Sequence, residues 1–211
     1  MTTEIFQFSK PDLFCAAARF VTKEKIRPYL AGVYVEPAAA GGAYLVSTDG
    51  HRMLVGYDAG ATAPRAVLIQ PPRIKMPAAW WKFTGMAWAQ DTLYGSPQSL
   101  EGAKEPAQFA SDFERAPELR GCVFPDWARI LPDMTQEIEL AHFNGDYIAD
   151  FFAVRKHLCK MKGGGALPIR HHGIGAAYVQ LRDDAFGVLM PCRVHKGVDD
   201  GLPFEIRRAD A

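Results

Sequence analysis

The sequence is poor in several of the features that announce a function. Its four cysteines, Cys15, Cys122, Cys159 and Cys192, lie far apart with no C-x-x-C pair. That spacing excludes a zinc knuckle and supplies no disulfide framework, so no metal is expected. No run approaches the ~20 apolar residues of a membrane helix, and MTTEIFQFSK lacks the basic-then-apolar order of a signal peptide. Both point to a cytoplasmic protein. Net charge is absent too: 24 basic residues balance 24 acidic ones, so any contact with nucleic acid must come from local clustering. Catalytic signatures are missing as well. There is no H-E-x-x-H, no G-x-S-x-G and no glycine-rich phosphate loop, and the GGG at 163–165 ends a helical pattern. Asp49, His51 and the pair His171 and His172 are isolated polar residues without catalytic spacing. A non-catalytic protein without cofactor is expected.

What is present is a globular composition, 48% apolar with 15 Pro and 19 Gly across 211 residues. A chain of this size should bury roughly 70% of its unfolded surface. Residues 4–8 read as a strand. Ser9, Pro11 and Asp12 then suit a helix start, and Leu13, Phe14, Ala17, Phe20 and Val21 recur at helical spacing. Strand-like runs follow at 29–36, 43–48 and 51–57, the last two joined by an Asp49-Gly50 turn. The order is β-α-β-β-β.

That order restarts at 66–70, with a short helix at 77–83 and a strand over 86–94. Residues 96–121 are polar and interrupted by proline, and only 109–113 reads as strand there. A third copy begins with a strand at 137–142. Asn144 caps a helix whose buried face is Tyr147, Ile148, Phe151, Phe152, Val154, Leu158 and Met161, and strands follow at 166–171, 176–182 and 186–194. The class is α+β, with helices on one face and antiparallel sheets on the other.

The helical segments are also where cations collect: Lys10, Arg19 and Lys23 in the first, Arg73, Lys75 and Lys82 in the second, Arg155, Lys156 and Lys160 in the third. In a neutral chain this marks a basic face able to touch phosphates without reading bases. The plainer reading is a solvated helix face with cations near helix C-termini.

Three segments, LVSTDGHRMLV at 45–55, FPDWARILP at 124–132 and VLMPCRV at 188–194, resemble the β subunit of bacterial DNA polymerase III, the sliding clamp. They lie in the order that family requires. RPYLAGVYVE at 27–36 and FNGDYIADFF at 143–152 extend the likeness to about two thirds of the chain. The resemblance implies a clamp fold of repeated β-α-β-β-β units, with basic helices lining a ring around duplex DNA. It also implies a groove receiving clamp-binding peptides from DNA polymerase and the clamp loader. Matching positions are Leu30, Thr48, Gly50, His51, Arg52, Met53, Pro125, Arg129, Ile130, Val188, Met190, Pro191, Cys192, Arg193 and Val194. Apolar members would anchor a peptide and the arginines would meet an acidic group. Taken singly, alternating residues such as Val188 and Met190 also read as sheet core.

By this resemblance residues 1–122 correspond to the family's middle domain, 123–196 to a connector and shortened last domain, and 197–211 to a charged tail. A first domain has no counterpart in the chain. If a ring needs twelve units, three per chain close as a tetramer and four as a trimer. A ringless peptide-binding adaptor of phage or plasmid origin is the rival expectation. The tail segment Leu202, Pro203 and Phe204 faintly resembles a clamp-binding peptide.

Overall fold

The computed structural model describes residues 4–24, 26–131, 142–163, 165–171 and 175–192. The first unit comprises β1 (Phe6–Phe8), α1 (Pro11–Ala17) with a 3₁₀ turn (Ala18–Phe20), β2 (Val33–Pro37), β3 (Ala43–Thr48) and β4 (Arg52–Asp58). The second holds β5 (Val67–Ile69), a 3₁₀ turn (Trp80–Lys82), β6 (Gly85–Ala89), β7 (Thr92–Ser96) and β8 (Asp112–Arg115). In the third, α2 (Gly145–Leu158) precedes β9 (Ile169–Arg170), β10 (Ala177–Arg182) and β11 (Ala185–Leu189). The strand expected over 137–142 lies, except for His142, outside the described residues.

The first two units exchange their opening strands. β1 joins the second unit's sheet, with Phe6 opposite Trp88 and Phe8 opposite Met86, and β5 joins the first unit's sheet, with Val33 opposite Ile69. Each sheet is therefore completed by the other unit, and neither unit closes its sheet alone. β4 then pairs antiparallel with β11, setting Met53 opposite Val188 and Leu54 opposite Gly187. This pairing fuses the third unit into one seven-stranded sheet, ordered β5-β2-β3-β4-β11-β10-β9, beside the four-stranded β1-β6-β7-β8.

Side chains alternate across a strand, and β4 shows what the alternation does here. Leu54 faces the helix layer and joins the main core with Leu13, Phe14, Phe20, Phe151, Val154 and Leu158. Met53 and Val55 face the opposite side and join a second cluster with Leu30, Val46, Leu68, Phe124 and Val188. Each fully buried side chain of this size contributes about 1.5–3 kcal/mol. α1 and α2 are held over the sheet by this first core; Lys10 and Arg19 flank α1, and Arg155 and Lys156 lie in the last turn of α2.

Several local expectations need correction. Ser9 does not cap α1. Its hydroxyl and the Lys10 amide, the latter at 2.9 Å, both turn to the buried Asp58 carboxylate at the end of β4. The second unit's helix shrinks to the 3₁₀ turn at Trp80–Lys82, because Pro77 and the β-forming Phe83 and Thr84 leave one turn between them. The strand read over 86–94 is a hairpin, turning at Gln90 and Asp91 with φ of 49° and 59°. Two consecutive residues at positive φ make the tight turn whose twist matches the flanking strands. The cap at Asn144 holds, its side-chain oxygen accepting from the Asp146 amide at 2.9 Å.

Candidate functional site

Of the residues singled out for peptide binding, the outer face of the seven-stranded sheet gathers Leu30, Met53 and Val188. Leu30, Met53 and Val188 are 4%, 1% and 1% exposed and belong to one cluster. The connector crosses this face and is pinned by aromatic contacts. Phe124 stacks on Tyr34 at 4.7 Å and 9°, while Trp127 packs on Tyr44 and donates its indole N–H to Glu36 at 2.9 Å. Those contacts position the exposed Pro125, Arg129 and Ile130. Past β11, the Met190 amide donates to the His51 carbonyl at 3.1 Å, which sets the chain end beside the β3–β4 turn. Leu30, Met53 and Val188 form a buried apolar shelf, while Ile130, on the connector's 3₁₀ turn, and Met190, just past β11, remain 46% and 42% exposed.

The turn itself is built by its sequence. Asp49 Oδ1 accepts from the His51 and Arg52 amides, the Thr48 hydroxyl donates to the Arg52 carbonyl, and Gly50 takes a φ of 91°. A Cβ at Gly50 would meet the Arg27 guanidinium at 2.7 Å and Leu30 at 4.0 Å. Glycine here lets a cation lie over the turn beside the shelf.

Arg52 and His51 point the other way. The Arg52 guanidinium sits between the Phe20 and Tyr147 rings, 4.9 Å from each centroid, and pairs with Asp49 at 3.0 Å and with Asp150 of α2. The His51 ring stacks on Tyr147. Both side chains thus face the helix layer, Arg52 as the alternation from Met53 demands and His51 from the turn that precedes β4. Pro191 and Cys192 continue the chain past Met190, and the Cys192 amide donates to the His142 carbonyl at 2.7 Å. Arg193 and Val194 lie outside the described residues, as does the whole tail.

On the helix side, the nine cations separate into groups. Lys10, Lys82, Lys156 and Lys160 line one cleft of about 820 Å³, together with Trp81, His157, Arg182 and Asp184. Arg19, Lys23 and Lys75 line a second, of about 400 Å³, that also holds His51, Arg52 and Asp150. Two cations are otherwise engaged. Arg155 donates to the carbonyls of Gln180 and Leu181, at 3.1 and 2.6 Å, and Arg73 pairs with Glu114 at 3.2 Å. Lys10 and Arg182 share Asp184, and Arg182 also reaches Asp12 at 2.6 Å. Burial raises the Asp184 carboxyl, but the hydrogen bonds from Arg182 and Lys10 outweigh it and hold the group below its ordinary value. Burial lowers the Arg19 guanidinium despite Asp150 beside it.

Sequence reasoning missed the residues that pin the connector, Tyr34, Tyr44, Trp127 and Glu36, and it missed Trp81. The aromatic content of FPDW was the available signal for the connector. For Trp81 there was none, because its ring partner, His157, lies 76 positions away and on another unit. Among the described residues, no group of three or more potential ligands is placed to hold a metal, and no helix is long and apolar enough to cross a membrane.

No family model and no curated protein matches the sequence. Solved structures do match. The DNA polymerase III subunit beta of Pseudomonas aeruginosa aligns with a TM-score of 0.62 at 16% identity, over 92% of this chain and 68% of that one. The sliding clamp of Bartonella birtlesii, solved with griselimycin bound, gives 0.62 at 15% over 90% and 66%, and the β subunit of Thermotoga maritima gives 0.53 at 11% over 91% and 65%. The chain spans about two thirds of the length of these clamps. These alignments show that the chain has the fold of the bacterial DNA polymerase III β subunit, the sliding clamp.

Proposed function

We propose that the chain works as a non-catalytic sliding clamp, tethering DNA polymerase and other replication or repair proteins to duplex DNA. The observation that carries this reading is the apolar shelf of Leu30, Met53 and Val188 on the sheet face opposite the helix layer, with Ile130 of the connector and Met190 past β11 left exposed. A short peptide with apolar anchors would dock on this face through the exposed Ile130 and Met190, and the clamp loader would use the same surface. The helix layer would face duplex phosphates without sequence preference. Association with further copies of the chain is supported by β8, an edge strand whose Phe113 is 69% exposed, since an open edge of this kind is a template for pairing.

The test is a titration of the full chain with an apolar clamp-binding peptide. Met190→Glu changes an exposed position, so folding should survive while affinity falls about tenfold or more. Binding unchanged in that variant would mean the shelf is not the peptide site. A second reading, a ringless adaptor that keeps the peptide groove alone, is favoured by β9, a two-residue edge strand that offers little to a neighbouring subunit. Such a protein would bind the peptide without salt-sensitive affinity for DNA.

A further inference from the structure

The first helix-side cleft holds more than the phosphate contacts assigned to it above. Trp81, on the 3₁₀ turn of the second unit, stacks on His157 of α2 with ring centroids 4.3 Å apart and 24° between planes. Trp81 is half-buried and His157 is exposed, so the stack ends in a ring that faces solvent. Around it stand Lys82, Lys156 and Lys160, all exposed. Among the described residues no carboxylate pairs with these three. The acids of the cleft, Asp12 and Asp184, are already taken up by Arg182 and Lys10. The cleft therefore carries a surplus of three positive charges beside an unfinished aromatic stack.

That combination differs from what a duplex alone requires. Duplex phosphates need cations, but paired bases are already stacked on one another and leave no ring free. An aromatic platform flanked by cations suits single strands, where each base has an open face and the backbone is flexible enough to follow the charge. The cleft, at about 820 Å³, lies within the size range of small-ligand sites. A nucleotide fits there.

We infer that this cleft binds an unpaired nucleotide of single-stranded DNA, its base continuing the Trp81–His157 stack and its phosphates meeting Lys82, Lys156 and Lys160. The inference rests on reading the helix layer as the nucleic-acid face and adds to it a site that distinguishes single strand from duplex. Burial, with Arg19 and Lys156 nearby, holds the His157 imidazole below its ordinary value, so at neutral pH the platform is an uncharged ring. Selectivity between the two DNA forms should then come from stacking, and the shared affinity from the lysines.

Fluorescence anisotropy of the full chain, with a labelled oligothymidylate and a duplex of equal length at low salt, tests this. His157 is exposed, so His157→Ala should leave the fold intact. It should weaken single-strand binding about 5- to 100-fold while moving duplex binding less than about twofold. His157→Phe should restore the single-strand affinity. Combining Lys82→Ala, Lys156→Ala and Lys160→Ala should weaken both forms and flatten their salt dependence. Equal effects of His157→Ala on the two forms, no effect on either, or no single-strand binding by the unaltered chain would overturn the inference. If the lysine variant alone loses affinity, the nucleic-acid face stands without the stacking site. If it loses none, the face itself is misassigned.

Discussion

Replacing Gly187 by alanine should destabilise the protein far more than one methyl group suggests. Gly187 lies on β11 beneath α2, and a Cβ there would meet the Phe151 ring with Cζ at 2.7 Å and Cδ1 at 2.8 Å, Cε1 being closer still. Ordinary carbon contacts lie at about 3.5–4.0 Å. The ring would have to retreat by roughly 1.5 Å to reach that range, and it has nowhere to go. Phe151 is fully buried and packs on Phe20 at 4.7 Å, in an interior as dense as an organic crystal. Overpacking of this kind costs about 1–3 kcal/mol. Urea denaturation followed by circular dichroism should show a lower midpoint at an unchanged slope. The companion experiment is Phe151→Leu, which opens space at the same spot. Alone it should destabilise, but combined with Gly187→Ala the losses should fall short of their sum by about 0.5–3 kcal/mol. Gly145 is the control: a Cβ there meets nothing within 4 Å, and Gly145→Ala should be neutral or stabilise by up to about 0.5 kcal/mol. Gly187→Ala within about 0.3 kcal/mol of the parent, with additive losses in the double variant, would refute the placement of α2 on β11.

Arg52→Met removes the guanidinium that joins the β3–β4 turn to α2, and should cost about 2–4 kcal/mol in urea unfolding, toward the lower end because Asp150 is 40% exposed. A loss under about 0.5 kcal/mol would show that the hub contributes little. Acid should weaken the link between α1 and the β10–β11 turn. Because the folded Asp184 carboxyl is held below its ordinary value, its contribution is complete above the ordinary carboxylate range and is lost as pH falls through that range toward the folded value. Thermal melts of the parent and Asp184→Asn should accordingly differ at neutral pH and converge in acid, and a pH-independent difference would contradict the assignment. His157 has the same sense by the opposite chemistry. Its lowered value favours the neutral folded form, so its contribution is full above about pH 6.5 and declines as pH drops below that, and His157→Phe should flatten the melting profile there.

Much of this architecture was legible where one periodicity dominated. The alternation in LVSTDGHRMLV and its Asp-Gly turn placed β3 and β4 within a residue of their observed bounds, and Asn144 marked the start of α2. Legibility failed where tertiary context decided. In residues 86–94 only Gln90, Asp91 and Thr92 break the apolar run, and with no Gly among them the turn at Gln90 and Asp91 was not announced. The helix expected at 77–83 contains good apolar spacing but too few residues between its breakers to propagate beyond a turn. At the candidate site, the apolar positions Leu30, Met53 and Val188 fall in one buried cluster, where strand alternation also places them. The side chain of Arg52 does not face them, and that was readable in principle: on a strand, neighbours of Met53 must face the other way. The Trp81–His157 stack joins two units through the fold, and local patterns hold no information about such a pair.

The most direct test of the clamp reading is the solution mass of the 23.3 kDa chain, by size exclusion with light scattering across protein concentrations. A mass of three or four chains, constant on dilution, is the expected result and would match a closed ring. A persistent single-chain mass would contradict the ring and leave the peptide-binding adaptor in its place.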